Sequence, residues 1–341
     1  MKILFVGDLN KYGRSFQRFR TFGEMGNSVS GISSVPVPYR PGIEKSSVVE
    51  RIMWKLGFPP DVTGANRQIK EIVKGGKFDV VWIEKGVTIR PKTLRFIKKN
   101  DPEAKLVFCS EDDMYALHNR TAYFNRGIRY YDVVFTTKVY NLEELKKLGA
   151  KRTALFLDAY DEKVHRPMEL SDAEKAEFGA DISFVGMFEE DRARRILYLA
   201  EHGLPVAVWG NGWANWVGKN KNMIVKNKML LEDDYARAIN ATKINLCFLR
   251  KINRDQVTSR SVEIPACGAF LLGERTKRHL EFFEEGKEME FFGSDEEMLK
   301  KAKYYLENPA EREKIALAGR ERCVKSGYSM RSQLGKMLVE I

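Results

Sequence analysis

The sequence predicts an α/β protein of two parallel-sheet domains facing across a cleft. Apolar runs of strand length alternate with helix-period patterns along the whole chain, the pattern of parallel α/β layers. The 341 residues suffice for two domains of ordinary size, and a hydrophobic fraction of 43% is that of a folded globular chain.

In the first half, strands are expected over 3–6, 29–34, 80–83, 106–109, 133–136 and 153–157. Helices fit 14–25, 46–56, 62–75, 91–99, 120–128 and 140–148. Pro91 suits a first helical turn and Gly149 a helix end. In the second half, strands are expected over 182–185, 206–209, 244–248 and 269–272. Helices fit 190–202, 232–240, 257–267, 277–284, 295–306 and 309–325. The stretch 158–180 reads as the connection between domains. The expected division is therefore 1–165, 166–328 and a terminal helix over 329–341 that packs back on the first domain.

Composition excludes several classes. No apolar run reaches the length of a membrane span. The opening Met1-Lys-Ile-Leu-Phe-Val-Gly-Asp8 is too soon interrupted by charge for a secretory signal and reads as a first strand. Four cysteines stand far apart, three of them in apolar runs, which reads as buried free thiols in a reducing cytoplasm. The four histidines form no metal-ligand cluster, so no metal site is expected.

The most informative run is Asp255-Gln-Val-Thr-Ser-Arg260-Ser-Val-Glu263-Ile-Pro-Ala-Cys-Gly268, followed by the apolar Ala269–Leu272. Arg260 and Glu263 are three apart and share a helix face; Gly268 is a C-cap residue. A charged pair thus stands beside a helix-to-strand turn. Upstream lie Gly186, between a strand and a helix carrying Arg192, Arg194 and Arg195, and the loop Trp209-Gly210-Asn211-Gly212-Trp213. Lys243 precedes and Arg250 follows another strand. In the first half, Gly7-Asp8 to Gly13-Arg14, Glu84-Lys85-Gly86 and Ser110-Glu111-Asp112-Asp113 each follow a strand, where open α/β sheets place ligands.

From 181 to 328 these pieces, with Ala241-Thr-Lys243 and the tail from Asn308-Pro309, resemble in order and spacing the nucleotide-sugar module of GT-B glycosyltransferases of the CgeB-like, spore-maturation branch. The resemblance implies two Rossmann-like domains and a nucleotide-sugar donor, UDP- or another NDP-sugar, with no further cofactor required. In that family two acids separated by seven residues mark the site; Asp255 and Glu263 have the spacing, with Asp in the place of the usual first Glu.

A glycosyl transfer needs cations and N–H groups aimed at a departing phosphate. The resemblance assigns Glu263 to the ribose hydroxyls. Gly186, Arg192, Arg250, Gly13 and Lys85 are nucleotide or phosphate candidates, and Trp209, Gly210 and Asn211 form a loop beside the nucleotide, where either a ring stacks on a base or the two tryptophans close a core. Arg260 either contacts the diphosphate or holds Glu263. Asp255 faces the sugar or the N–H groups at the helix start, or is a plain capping or loop residue. Glu111, Asp112 or Asp113 is a general base for an acceptor hydroxyl if the enzyme inverts, or else caps the following helix or binds loop N–H groups. Two rivals are a nucleotide-sugar epimerase on the same scaffold and a non-catalytic nucleotide-binding module of an envelope, spore or phage assembly.

The net charge of +11 is uneven: residues 1–165 carry +10 and residues 166–341 carry +1. Either the first half has an ordinary solvated surface, or it meets an anionic partner: an acidic glycan, a lipid-linked or membrane-surface acceptor or, less favoured, nucleic acid. Arg14, Arg18, Arg20, Lys92, Arg95, Lys98 and Lys99 are the candidate cations. The expected location is cytoplasmic, or peripheral at the inner membrane surface.

Overall fold

The computed structural model describes residues 1–38 and 47–341. The chain divides into two compact units: Met1–Leu157 with Met330–Ile341, and Asp158–Ser329.

The first unit holds β1 (Lys2–Gly7), α1 (Arg14–Glu24), β2 (Ser28–Ser33), α2 (Val48–Lys55), α3 (Ala65–Gly75), β3 (Val80–Glu84), α4 (Pro91–Asn100), β4 (Lys105–Ser110), α5 (Ala122–Gly127), β5 (Val133–Thr136), α6 (Asn141–Lys147) and β6 (Thr153–Leu155). The strands are all parallel in the order β2-β1-β3-β4-β5-β6. Period-2 alternation sends Leu4, Val6, Val81, Ile83, Leu106 and Phe108 to one face, and Ile3, Phe5, Trp82, Val107 and Cys109 to the other. Both faces are covered, so the central strands read as unbroken apolar runs. Helices take their starts from local chemistry. Pro91 opens α4, and Ser47 and Glu50 form a capping box at α2. The expected helix 46–56 begins at a residue, Ser46, that lies outside the described ones.

The second unit holds α7 (Asp172–Phe178), β7 (Ala180–Val185), α8 (Glu190–Glu201), β8 (Val206–Trp209), β9 (Met223–Val225), α9 (Glu232–Asn240), β10 (Thr242–Cys247), α10 (Arg260–Ala266), β11 (Leu271–Glu274), α11 (Lys277–Phe282), β12 (Glu290–Phe292), α12 (Asp295–Glu307) and α13 (Pro309–Lys325). Its sheet is also parallel, in the order β12-β11-β10-β7-β8-β9. The closing helix α14 (Met330–Val339) returns to the first unit. It lies on α1 and buries Met330, Leu334 and Met337 with Phe5, Phe22 and Trp82.

Four elements differ most from expectation. α7 sits inside the stretch read as a connector; its capping box, Ser171 with Glu174, is a sequence signal that the polar composition hid. β9 and β12 are three-residue edge strands, too short for periodicity to mark. The helix expected over 257–267 starts at Arg260, because the Thr258 N–H is taken by the Ser261 hydroxyl at 3.2 Å. It ends as expected: Gly268 at φ +74° donates to Pro265 O at 2.8 Å. Residues 158–165, placed with the first domain on sequence, belong to the second unit, where Tyr160 N donates to Tyr328 O at 3.0 Å.

Each sheet has one point where the strand order reverses. In the first it lies between β1 and β3, in the second between β7 and β10. A crevice opens at such points beyond the carboxyl ends of the strands.

Candidate functional site

In the second unit, the loop after β7 and the segment after β10 bring three arginines together. Arg192, on the first turn of α8, is 3% exposed. Its guanidinium lies 5.6 Å from the Phe184 ring centre, and that of Arg260, at the start of α10, lies 5.8 Å from the same centre. Arg250 follows β10. Glu189 accepts from Arg250 Nε at 2.8 Å and stands 3.5 Å from Arg192 Nη1, which also donates to Met187 O at 3.1 Å. One carboxylate thus serves two of the three cations. Nε and Nη2 of Arg192, and Nε of Arg260, are buried and donate to no protein group among the described residues. Burial first, then the neighbouring Arg260, pull the Arg192 guanidinium down to about 10. The arrangement favours an anion with several acceptor oxygens.

Glu263 is one turn further along α10 and 7% exposed. Two segments orient it. Tyr235 of α9 donates its hydroxyl to Oε2 at 3.1 Å. His165 Nε2 stands 3.8 Å from Oε1. His165 Nδ1 accepts from Asp161 N–H at 2.9 Å, which places the imidazole proton on Nε2, toward the carboxylate. Burial, and then Glu263 itself, push the Tyr235 phenol well above its ordinary range, so it remains a donor. Glu263 is therefore a held, buried acceptor and not a helix-surface residue. Neither Tyr235 nor His165 was singled out on sequence: one lies on a polar helix, the other in the connector. Asp255 stands in the loop before α10, not at its cap, with its N–H to Arg250 O at 3.2 Å.

The glycine-tryptophan loop backs this crevice. Gly186 N donates to Trp209 O at 2.8 Å, and Phe188 N to Asn211 O at 3.0 Å. Gly210 has φ +137°, and a Cβ there would lie 2.0 Å from Gly186 O. The expectation that Trp209 offers its ring to a base is corrected: the ring is 3% exposed and packs beside Phe178. Trp213 is wholly buried and donates to Gly186 O at 2.9 Å. Both rings follow an apolar strand into the core, and that burial outweighs the exposure stacking would need. The Asn211 side-chain amide lies 3.9 Å from Met229 Sδ. Arg195 is directed to Glu274 and Asp295, at 3.4 and 3.5 Å. Lys243 pairs with Asp181 at 2.6 Å, at the opposite end of the strands.

The first unit has its own pocket at its switch point, about 350 Å³, walled by Asp8, Arg14, Glu84, Lys85, Glu111 and Asp112. Behind it lies a buried ion cluster. Arg18 pairs with both Glu84 and Glu111, and Arg14 Nε lies 2.9 Å from each Glu111 oxygen. Trp82 Nε1 donates to Glu84 at 3.0 Å. Burial opposes ionisation of Glu111, but Arg14 and Arg18 outweigh it and hold the carboxyl at about 2. Gly7 lets this cluster close: a Cβ there would sit 2.4 Å from Ser15 Oγ.

Two first-half expectations are corrected here. Asp113 is fully buried and accepts from Tyr115 N, Ala116 N and Asn141 Nδ2 at 3.2, 3.3 and 2.9 Å, so it holds a turn and is not a base. Arg18 is buried against carboxylates and does not present charge to a partner, while Arg14, paired with Glu111, stands on the pocket wall. Asp112 is on the pocket wall, paired with Lys85, which sits at φ +41°. Gly13 caps α1 and donates to Asn10 O at 2.9 Å. No group of three or more metal-binding side chains occurs among the described residues. All four cysteines are buried, as free thiols.

Residues 192–338 match the family described as glycosyl transferase-like. Solved structures resemble the whole chain. Sucrose-phosphate synthase from Thermosynechococcus elongatus is 11% identical with a TM-score of 0.68, covering 100% of this chain and 98% of that one. The Anabaena protein HepE, solved with UDP and glucose, is 11% identical with a TM-score of 0.66 and full coverage of both chains. The fold is GT-B. A Rickettsia africae glycosyltransferase adds 13% identity and a TM-score of 0.68 over 99% of this chain and 96% of that one. No curated protein matches this sequence. The GT-B likeness accounts for two parallel sheets, each with its own switch point.

Proposed function

We propose that the chain is a glycosyltransferase that moves a sugar from a nucleotide-sugar donor to an acceptor hydroxyl. One observation carries the reading: at the switch point of the second unit, buried Arg192 and its neighbour Arg260 hold three donor nitrogens that no protein group among the described residues accepts from. A nucleoside diphosphate supplies acceptor oxygens of the right charge. HepE, of the same fold, is described with UDP and glucose. The CgeB-like assignment rests on the motif order between 181 and 328.

In this reading Arg192, Arg260 and Arg250 bind the diphosphate and stabilise it as it departs with added negative charge. No metal is required, because the guanidiniums carry that charge work. Glu263, fixed by Tyr235 and His165, accepts from the ribose hydroxyls. The pocket of the first unit is the candidate acceptor site, with Asp112 its candidate base; Glu111, held at about 2, is too weak a base near neutral pH.

The test is a thermal-shift screen of nucleoside diphosphates and nucleotide sugars, followed by product analysis with and without acceptor. Stabilisation by a diphosphate and sugar transfer to acceptor are expected. Sugar isomerised without acceptor would assign an epimerase instead. Binding without turnover would assign a non-catalytic module.

A further inference from the structure

Helix α2 is unusual in burying none of its residues. Its sequence is nonetheless apolar on one side. Val48, Val49, Ile52 and Leu56 fall within about 100° of arc at 100° per residue, the width of an apolar stripe. They are 61%, 65%, 51% and 66% exposed. Arg51 and Lys55, both exposed, border that stripe on one side. Trp54 projects from the opposite side and lines the first-unit pocket. The helix is not a loose appendage at its far end. Gly57 O accepts from Ala122 N at 2.8 Å, and Phe58 packs edge-on to Tyr123 at 5.5 Å. Arg126 lies over Phe58 and Arg90 over Tyr123, and both are exposed. Two cations, Arg51 and Lys55, therefore border the exposed apolar stripe, and two more lie on the rings that follow the helix.

The unit that carries α2 is also the basic one. Met1–Leu157 with Met330–Ile341 has 30 Lys and Arg against 17 Asp and Glu, or +13; Asp158–Ser329 has 28 against 30, or −2. Dividing the chain by its actual units sharpens the contrast seen in the two sequence halves.

We infer that α2 docks on an anionic lipid bilayer, its apolar stripe in the headgroup boundary and its cations on the headgroups. A short helix with an apolar face and flanking Lys and Arg is suited to lie in that plane, and a negative surface selects the basic unit over the acidic one. No helix among the described residues is long and apolar enough to cross a membrane. The inference does not depend on the glycosyltransferase reading. It places the first-unit pocket beside the lipid, through Trp54.

The experiment is co-sedimentation of the full chain with vesicles of phosphatidylcholine alone and with about one-third phosphatidylglycerol, at low salt and near 1 M, where the Debye length falls to about 3 Å. Retention on the anionic vesicles at low salt, and its loss at high salt, are expected. Val49→Asp with Ile52→Asp should lower the partition coefficient at least tenfold. Arg51→Glu with Lys55→Glu should lower it by about 25-fold or more, at roughly fivefold per cation removed. All four positions are exposed, so the melting temperature should stay put. Leu317→Asp, exposed on the second unit, should leave binding unchanged. No retention on anionic vesicles at low salt, or retention equal in the wild type and V49D/I52D, would overturn the inference. So would a concentration-dependent dimer that V49D/I52D abolishes, which would make the stripe a contact between copies of this chain.

Discussion

Among single residues, Arg192 shows most plainly how function and stability diverge. A guanidinium buried beside two other arginines is destabilising, because desolvation and like charge both act against it. Arg192→Met keeps the bulk on Phe184 and removes the charge. The expected outcome is opposite in sign for two measurements: the ligand-free protein melts higher, by roughly 1 kcal/mol of stability, while nucleoside diphosphate affinity falls by about 2 kcal/mol. A variant that lowers both would make Arg192 structural. Glu263 allows a cleaner test, since Gln keeps the acceptor oxygen for Tyr235 but halves the carboxylate. Glu263→Gln should cost nucleotide binding about 1.5–3 kcal/mol by calorimetry, and unchanged affinity would remove Glu263 from the site.

At the level of elements, the junction of α10, β11 and α11 depends on a neutral histidine. His279 is wholly buried, lies against Phe291, and is bonded at one nitrogen to Glu274 O at 2.6 Å and at the other to Ser261 Oγ at 2.7 Å. Burial lowers its pKa from 6.5 to about 4. Between those values the unfolded chain binds the proton and the folded one does not, so stability rises with pH across this window and is lost as pH falls from 6.5 toward 4. The full effect is about 3 kcal/mol. Denaturant titrations at pH 7 and pH 4.5 should show it, and His279→Gln should flatten that part of the profile. The turn after β8 depends on a glycine in the same way: Gly210→Ala should destabilise by at least about 2 kcal/mol, since a positive φ and a contact with Gly186 O act together. A neutral effect in thermal melts would mean that this loop moves freely.

For the whole molecule, two units with separate cores imply that unfolding need not be one transition. If the arginine crevice is the donor site, a nucleoside diphosphate at about one hundred times its Kd should raise the transition of the second unit by about 2.7 kcal/mol and leave that of the first nearly unmoved. Differential scanning calorimetry distinguishes this from a shift confined to the first unit, which would move the donor site there. Deleting 330–341 should act the other way, lowering only the first transition, because α14 covers Phe5, Phe22 and Trp82 of that unit.

The chain by itself determined the layers: apolar strand runs, Pro91, Gly149 and Gly268 are local signals, and each element's type follows from near neighbours. It also marked Gly186, Arg192, Arg250, Arg260 and Glu263, since their order along the chain carries a resemblance. Tertiary structure decided what sits beside what. Asp112 and Asp113 are adjacent in sequence, yet one lines a pocket and the other holds a buried turn, because adjacent side chains leave the backbone in different directions. Trp209 and Trp213 are core residues for the same reason. Arg18 meets Glu84 and Glu111, distant in sequence, only once β3 and β4 are paired. Tyr235 and His165 reach Glu263 from segments 28 and 98 residues away along the chain. Periodicity senses residues a few positions apart; it cannot report contacts that only the parallel crossovers of the sheet create.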